Sequence, residues 1–69
     1  MKLMAYKYDE DGIYDLVFKK ANGYHYQVSI KDIAEFKHLL RSSPGEVVKI
    51  SNHIQVDKYI QMLDNKKGD

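Results

Sequence analysis

The sequence contains no cysteine, no tryptophan and a single proline among its 69 residues. Without cysteine there can be no disulfide, no thiolate metal ligand and no thiol nucleophile. Charge of one sign is also missing in excess: eleven basic side chains meet ten acidic ones, for a formal net charge of +1. A nucleic-acid binder usually carries a basic surplus, and a mimic of DNA would carry a large acidic one, so either role would need a local patch. Long apolar runs are absent as well, and no stretch is long enough to span a bilayer. No apolar segment follows Met1-Lys2-Leu3-Met4, so no signal peptide is expected and the cytoplasm is the expected compartment.

What is present is the composition of a folded chain, 43% apolar and 30% charged. The length allows one domain, expected over residues 1–65 with 66–69 as a frayed tail. A chain of this size buries only about 60% of the surface its unfolded form exposes, and its stability should be about 3 to 10 kcal/mol. The core must therefore be efficient, or the chain borrows apolar surface from a partner or a second copy.

The clearest pattern lies in the first half. Glu10-Asp11-Gly12 and Ala21-Asn22-Gly23 each separate runs rich in aromatic and β-branched residues. A three-residue hairpin loop needs a positive φ at its last position, which glycine supplies. At 21–23 this loop pairs Phe18 with Tyr26, Leu16 with Val28 and Tyr14 with Ile30; a two-residue loop would set Asp15 against Ile30. The same loop at 10–12 pairs Tyr8 with Tyr14, Tyr6 with Leu16, Met4 with Phe18 and Lys7 with Asp15. The fold class is thus α+β: a three-stranded antiparallel meander, roughly 2–9, 13–20 and 24–30. One face carries Met4, Tyr6, Tyr8, Tyr14, Leu16, Phe18, Tyr26, Val28 and Ile30. The reverse face carries Leu3, Ala5, Lys7, Asp15, Val17, Lys19, His25, Gln27 and Ser29.

A helix near 31–41 follows, with Ile33, Phe36, Leu39 and Leu40 on one stripe to cover the first face. Either Asp32 with Glu35 or Ser29 with Asp32 can form its capping box, and Arg41-Ser42-Ser43-Pro44-Gly45 ends it. The chain then closes with a C-terminal β-hairpin in which 46–50 turns at Ser51-Asn52-His53 and pairs Ile50 with Ile54 and Val48 with Val56. The alternative is a C-terminal helix, because Val56, Tyr59, Ile60 and Leu63 have helical spacing and Asn52 could cap it.

No enzyme chemistry is expected. Histidines 25, 38 and 53 lie on separate elements, unlike the close spacing of a metal site. Asp9-Glu10-Asp11-Gly12 invites comparison with a calcium loop. Taking Gly12 as its sixth position puts Lys7 at the first ligand and Phe18 at the twelfth, so a solvated hairpin tip is the simpler reading. No nucleophile elbow or phosphate-cradling glycine loop occurs. No metal and no cofactor are expected.

Binding is the remaining class. On the reverse face, Leu3, Ala5 and Val17 form an apolar centre rimmed by Lys7, Lys19, Lys20, Tyr24, His25 and Gln27, the anatomy of an interface. These nine residues are the partner-binding candidates, unless the tail folds back over them. Strand 2–9 or strand 24–30 could also be an open edge for strand addition or dimerisation. A protein partner is expected, a homodimer is possible, and a nucleic-acid surface built from Lys19, Lys20, Tyr24 and His25 is the less favoured alternative.

Tyr24-His25-Tyr26, Val28-Ser29-Ile30-Lys31-Asp32-Ile33 and Glu46-Val47-Val48-Lys49-Ile50 follow an order of aromatic strand, capped helix and closing strand. That order resembles the small phage inhibitors of uracil-DNA glycosylase, and the short Lys-, Asp-, Ile- and Tyr-rich chain resembles accessory proteins of Gram-positive bacteriophages, among them anti-CRISPR proteins. The resemblance implies a non-catalytic inhibitor or modulator of a host or defence protein that works by steric occlusion. This chain departs from the glycosylase inhibitors in being neutral where they are acidic.

Overall fold

Both hairpins close as the glycine positions predict. In the computed structural model, which describes residues 2–67 and the side chains of residues 2–65, the Gly12 N–H donates to the Asp9 carbonyl at 3.0 Å and the Gly23 N–H to the Lys20 carbonyl at 2.9 Å. Both glycines have positive φ, 82° and 92°, which a residue with a Cβ adopts only with strain. The strands are β1 (Lys2–Tyr8), β2 (Tyr14–Lys19) and β3 (His25–Ile30). The pairings Tyr14–Ile30, Leu16–Val28 and Phe18–Tyr26 follow the expected register, as do Tyr6–Leu16, Lys7–Asp15 and Tyr8–Tyr14.

Register departs from expectation at the start of β1. A bulge between Leu3 and Ala5 leaves Met4 as the extra residue, so Leu3, not Met4, lies opposite Phe18. Leu3 therefore belongs to the first face, where it packs with Leu16, Phe18 and Phe36. Met4 turns to the reverse face and joins Ala5 and Val17. A two-residue alternation cannot register an inserted residue, so the exchange was not visible in the pattern.

Helix α1 (Ile33–Ser42) covers the first face. Its N-cap is Asp32, whose carboxylate accepts from the Ala34 and Glu35 N–H groups at 2.9 and 3.4 Å, so Asp32 and not Ser29 starts it. Phe36 is the anchor. Its ring stacks on Tyr14 with centroids 4.2 Å apart and meets Tyr6 edge-on at 5.0 Å. Tyr6, Tyr14 and Tyr26 all pack around this core, while Tyr8 lies against Tyr14 but stays 45% exposed.

The C-terminal hairpin does not form. Strand β4 (Val48–Lys49) instead adds to β1 in parallel, with the Ile50 N–H donating to the Tyr6 carbonyl at 2.8 Å. The sheet order is β3-β2-β1-β4, so α1 carries the chain across two strands. The chain then ends in helix α2 (Val56–Lys67), which takes the alternative stripe of Val56, Tyr59, Ile60 and Leu63. The Tyr59 N–H bonds the Gln55 carbonyl at 3.0 Å, while Asn52, the expected cap, lies in the preceding turn. The physical reason for the helix is coverage. A hairpin would lengthen the sheet and leave Ala5 and Val17 wet. The helix stripe instead buries them with Ile50 and Val56, and both are 0% exposed. Helix α2 reaches two residues into the stretch 66–69; Gly68 and Asp69 lie outside the described residues. The result is a four-stranded mixed sheet between two helices, and no described helix is long and apolar enough to cross a membrane.

Two outcomes test this architecture. Leu16 is fully buried, so Leu16→Ala should cost about 2 to 5 kcal/mol, most of the stability of so short a chain, measured by urea denaturation. At the first hairpin, Asp15 can accept a hydrogen bond from the protonated Asp9 carboxyl, and its charge opposes ionisation there, so the Asp9 carboxyl is raised above its ordinary 3.8. A raised value means that the Asp9 contribution is present below the ordinary value and fades as pH rises through the folded one. Asp9→Asn should therefore melt above the wild type at about pH 7, with the gap closing toward about pH 3 in a thermal series.

Candidate functional site: an open strand edge

Strand β2 has neighbours on both sides, and β1 is flanked by β2 and β4, so β1 is not the edge that its position at the start of the meander suggested. The sheet has two edges. One is the two-residue β4, and the other is the six-residue β3. Short edges are poor templates for a further strand and long ones are good templates.

Hydrogen-bond parity decides which β3 groups look outward. The Lys20 N–H donates to the Tyr24 carbonyl at 2.7 Å. Bonded pairs then recur every second residue, so Tyr26, Val28 and Ile30 turn their main chain toward β2. His25, Gln27 and Ser29 turn theirs away. The structure fills the first of these three positions from α2. Asp64 Oδ1 accepts the His25 main-chain N–H at 3.1 Å and lies 2.8 Å from Nδ1 of the same residue. A carboxylate oxygen can only accept, so the imidazole proton faces it from Nδ1. No described residue hydrogen-bonds the outward main chain of Gln27 or Ser29. The Ser29 side chain turns aside to donate to Asp15 at 2.7 Å.

The nine candidate residues now separate into groups. Leu3 lies in the core beneath α1, and Ala5 and Val17 lie beneath α2, so the apolar centre expected as an interface is interior. The tail does fold back over it. Lys7 is drawn off to the loop before α2, where its Nζ donates to the Ile54 carbonyl at 2.9 Å. It therefore stands at the opposite end of the sheet from Lys19 and Lys20, and the three do not form one patch. Lys19, Lys20, Tyr24 and Gln27 remain exposed. They gather along β3 and the second hairpin, with Lys20 Nζ 5.6 Å from the Tyr26 ring centroid. His25 is mostly buried, its side chain 7% exposed against Asp64.

Asp64 and Ser29 were absent from the candidates. Asp64 sits beside the apolar stripe of α2, and nothing local marks it as a plug; its role exists only because α2 crosses to β3. Ser29 could have been found, since it shares the parity of Gln27. The structure also sets Ser51 Oγ 2.9 Å from His53 Nδ1, but that exposed turn precedes α2, whereas the His25–Asp64 pair lies near the helix's other end. The two pairs do not combine.

Charge is polarised along the strands. The first hairpin, the start of α1 and the start of α2 share one end and bring Asp9, Glu10, Asp11, Asp32 and Asp57 there, outnumbering Lys7, Lys31 and Lys58. The second hairpin, the chain start and the end of α1 share the other. Lys2 opposes Lys19 there, Lys20 follows, and a Cβ at Gly45 would lie 3.7 Å from Lys2 Nζ. A net charge of +1 thus hides an acidic end and a basic end.

Amide exchange reports on this edge directly. In dilute solution the Gln27 and Ser29 amides should exchange fast and the His25 amide slowly. Asp64→Ala should speed His25 alone, as read by heteronuclear NMR. Comparison of the chain with family models, with curated proteins and with solved structures returns no match, so the open β3 edge itself is what points to function.

Proposed function

We propose that this chain is a non-enzymatic binding module that captures an extended segment of another polypeptide as a fifth strand on β3. The observation that carries this reading is the outward main chain of Gln27 and Ser29 on a six-residue edge, which no described residue hydrogen-bonds, beside exposed Lys19, Lys20 and Tyr24. Main-chain pairing supplies affinity in such complexes, and side chains flanking the edge supply specificity. Polarised charge supports the same reading, because it orients an incoming strand before contact. A module that covers its partner's strand in this way acts by steric occlusion and makes or breaks no bond.

Proline at position 29 is the direct test. The Ser29 N–H points away from β2, so a proline ring there removes an outward donor and blocks the edge without breaking a β2 bond. Immobilised wild-type chain should retain a protein from a bacterial lysate, and Ser29→Pro should lose it while keeping its circular dichroism and a melting temperature lowered only by the loss of the exposed Ser29–Asp15 hydrogen bond. Equal retention by both would place binding elsewhere.

A further inference from the structure

We infer that the strand taken up by β3 is the β3 of a second copy of this chain, antiparallel and two-fold symmetric, with Val28 opposite the partner's Val28. This rests on the strand-addition reading above and names the strand added.

The open window sets the register. In an antiparallel pair, outward-facing residues exchange bonds with outward-facing residues. The Asp64 carboxylate occupies His25, so Gln27 and Ser29 are the positions within β3 left to pair. A two-fold centred on Gln27 would press the partner's Ser29 against the occupied His25. A two-fold centred on Ser29 would set Gln27 against the partner's Lys31, beyond the end of the strand. Centring on Val28 pairs Gln27 with the partner's Ser29 and Ser29 with the partner's Gln27, so both open positions are filled twice over.

The side chains agree with that register. Val28 meets its own copy, and Tyr26 meets the partner's Ile30, all half-buried on the α1 face with apolar surface still to cover. Two large apolar side chains lie exposed at opposite ends of β3, Tyr24 at 51% and Ile33 at 53%. Antiparallel pairing brings each next to the other's end. It also sets the partner's Lys31 opposite His25 and its Asp64 carboxylate.

Charge selects the orientation. The end of each copy with an acidic excess, where the first hairpin and Asp32 outweigh Lys31, falls beside the basic end of the other, with Lys19 and Lys20, and the Lys31 cation is met there by the Asp64 carboxylate. A parallel arrangement would set like ends together. The product is one continuous eight-stranded sheet, twice the four strands of one copy, that ends in the two-residue β4 on either side and leaves no long edge open, so any other strand must displace the second copy to bind.

Sedimentation equilibrium of the full chain across micromolar to millimolar concentration tests this, with cross-linking to read the register. Wild type should pass from one to two chain masses. Ser29→Pro should weaken the dimer about tenfold or more, the loss expected for symmetric main-chain bonds. If Ser29→Pro unfolds, a synthetic chain with an N-methyl group on Gln27 removes one outward donor and should weaken it similarly. The chain has no cysteine of its own, so Val28→Cys should give a single disulfide-linked dimer on mild oxidation. The close pair of Cα atoms at a non-hydrogen-bonded site suits that bond. Gln27→Cys should link far more slowly. A monomer at every concentration, a dimer indifferent to both edge blocks, or equal linking at 27 and 28 would overturn the inference. A monomer whose capture of another protein is still abolished by Ser29→Pro would remove the second copy and leave strand addition standing. A dimer and a capture both indifferent to Ser29→Pro would remove both.

Discussion

Strand β2 has to be dry on both faces, and the rest of the molecule follows from that requirement. Leu16 faces α1 and Val17 faces α2, and both are 0% exposed. A sheet residue exposed to water on one side needs no second helix. Two successive apolar residues in one strand need a lid on each side. With 69 residues the chain has length for two short helices and little more. One helix serves as the crossover from β3 to β4, and the other closes the chain. Even the bulge at Met4 serves this requirement, since it sends Leu3 to one core and Met4 to the other.

The path of the second helix explains the surface. Helix α2 lies obliquely across the reverse face, from the Lys7–Ile54 contact at one end to the His25–Asp64 contact at the other. Among the described residues it meets the β3 edge only where Asp64 reaches His25, and where it starts, level with the far end of β3, it packs over Ala5, Val17 and Ile50 instead. Strand β4, with two residues, protects its side of the sheet by brevity. Natural sheets rarely leave a long edge without a charge, a proline or a cover, and the Asp64 carboxylate is such a cover for a single position. The neighbouring positions carry neutral Gln27 and Ser29, which favour pairing rather than oppose it.

Much of this was legible because it is local. Glycines at positions 12 and 23 require three-residue loops, and the loops impose the β2–β3 register residue by residue. The Asp32 cap and the Phe36 stripe mark α1, and the Val56–Leu63 spacing marks a possible terminal helix. Of the candidate binding residues, Lys19, Lys20, Tyr24 and Gln27 were found on a real surface. Leu3, Ala5 and Val17 read as an interface because an apolar patch rimmed by charge looks the same whether a partner or the chain's own helix covers it.

The sequence by itself determined the meander, its turns, the first helix and the near-neutral charge, since each depends on residues within a few positions of one another. Tertiary structure decided the rest: that β4 pairs with β1 and not with residues 54–56, that α2 covers the reverse face, that acidic and basic excesses fall at opposite ends, and that Asp64 closes His25 while no described residue closes Gln27 and Ser29. These depend on contacts between residues such as 25 and 64. For such pairs the apolar area buried and the main-chain bonds satisfied are properties of the whole packed arrangement and not of any one segment.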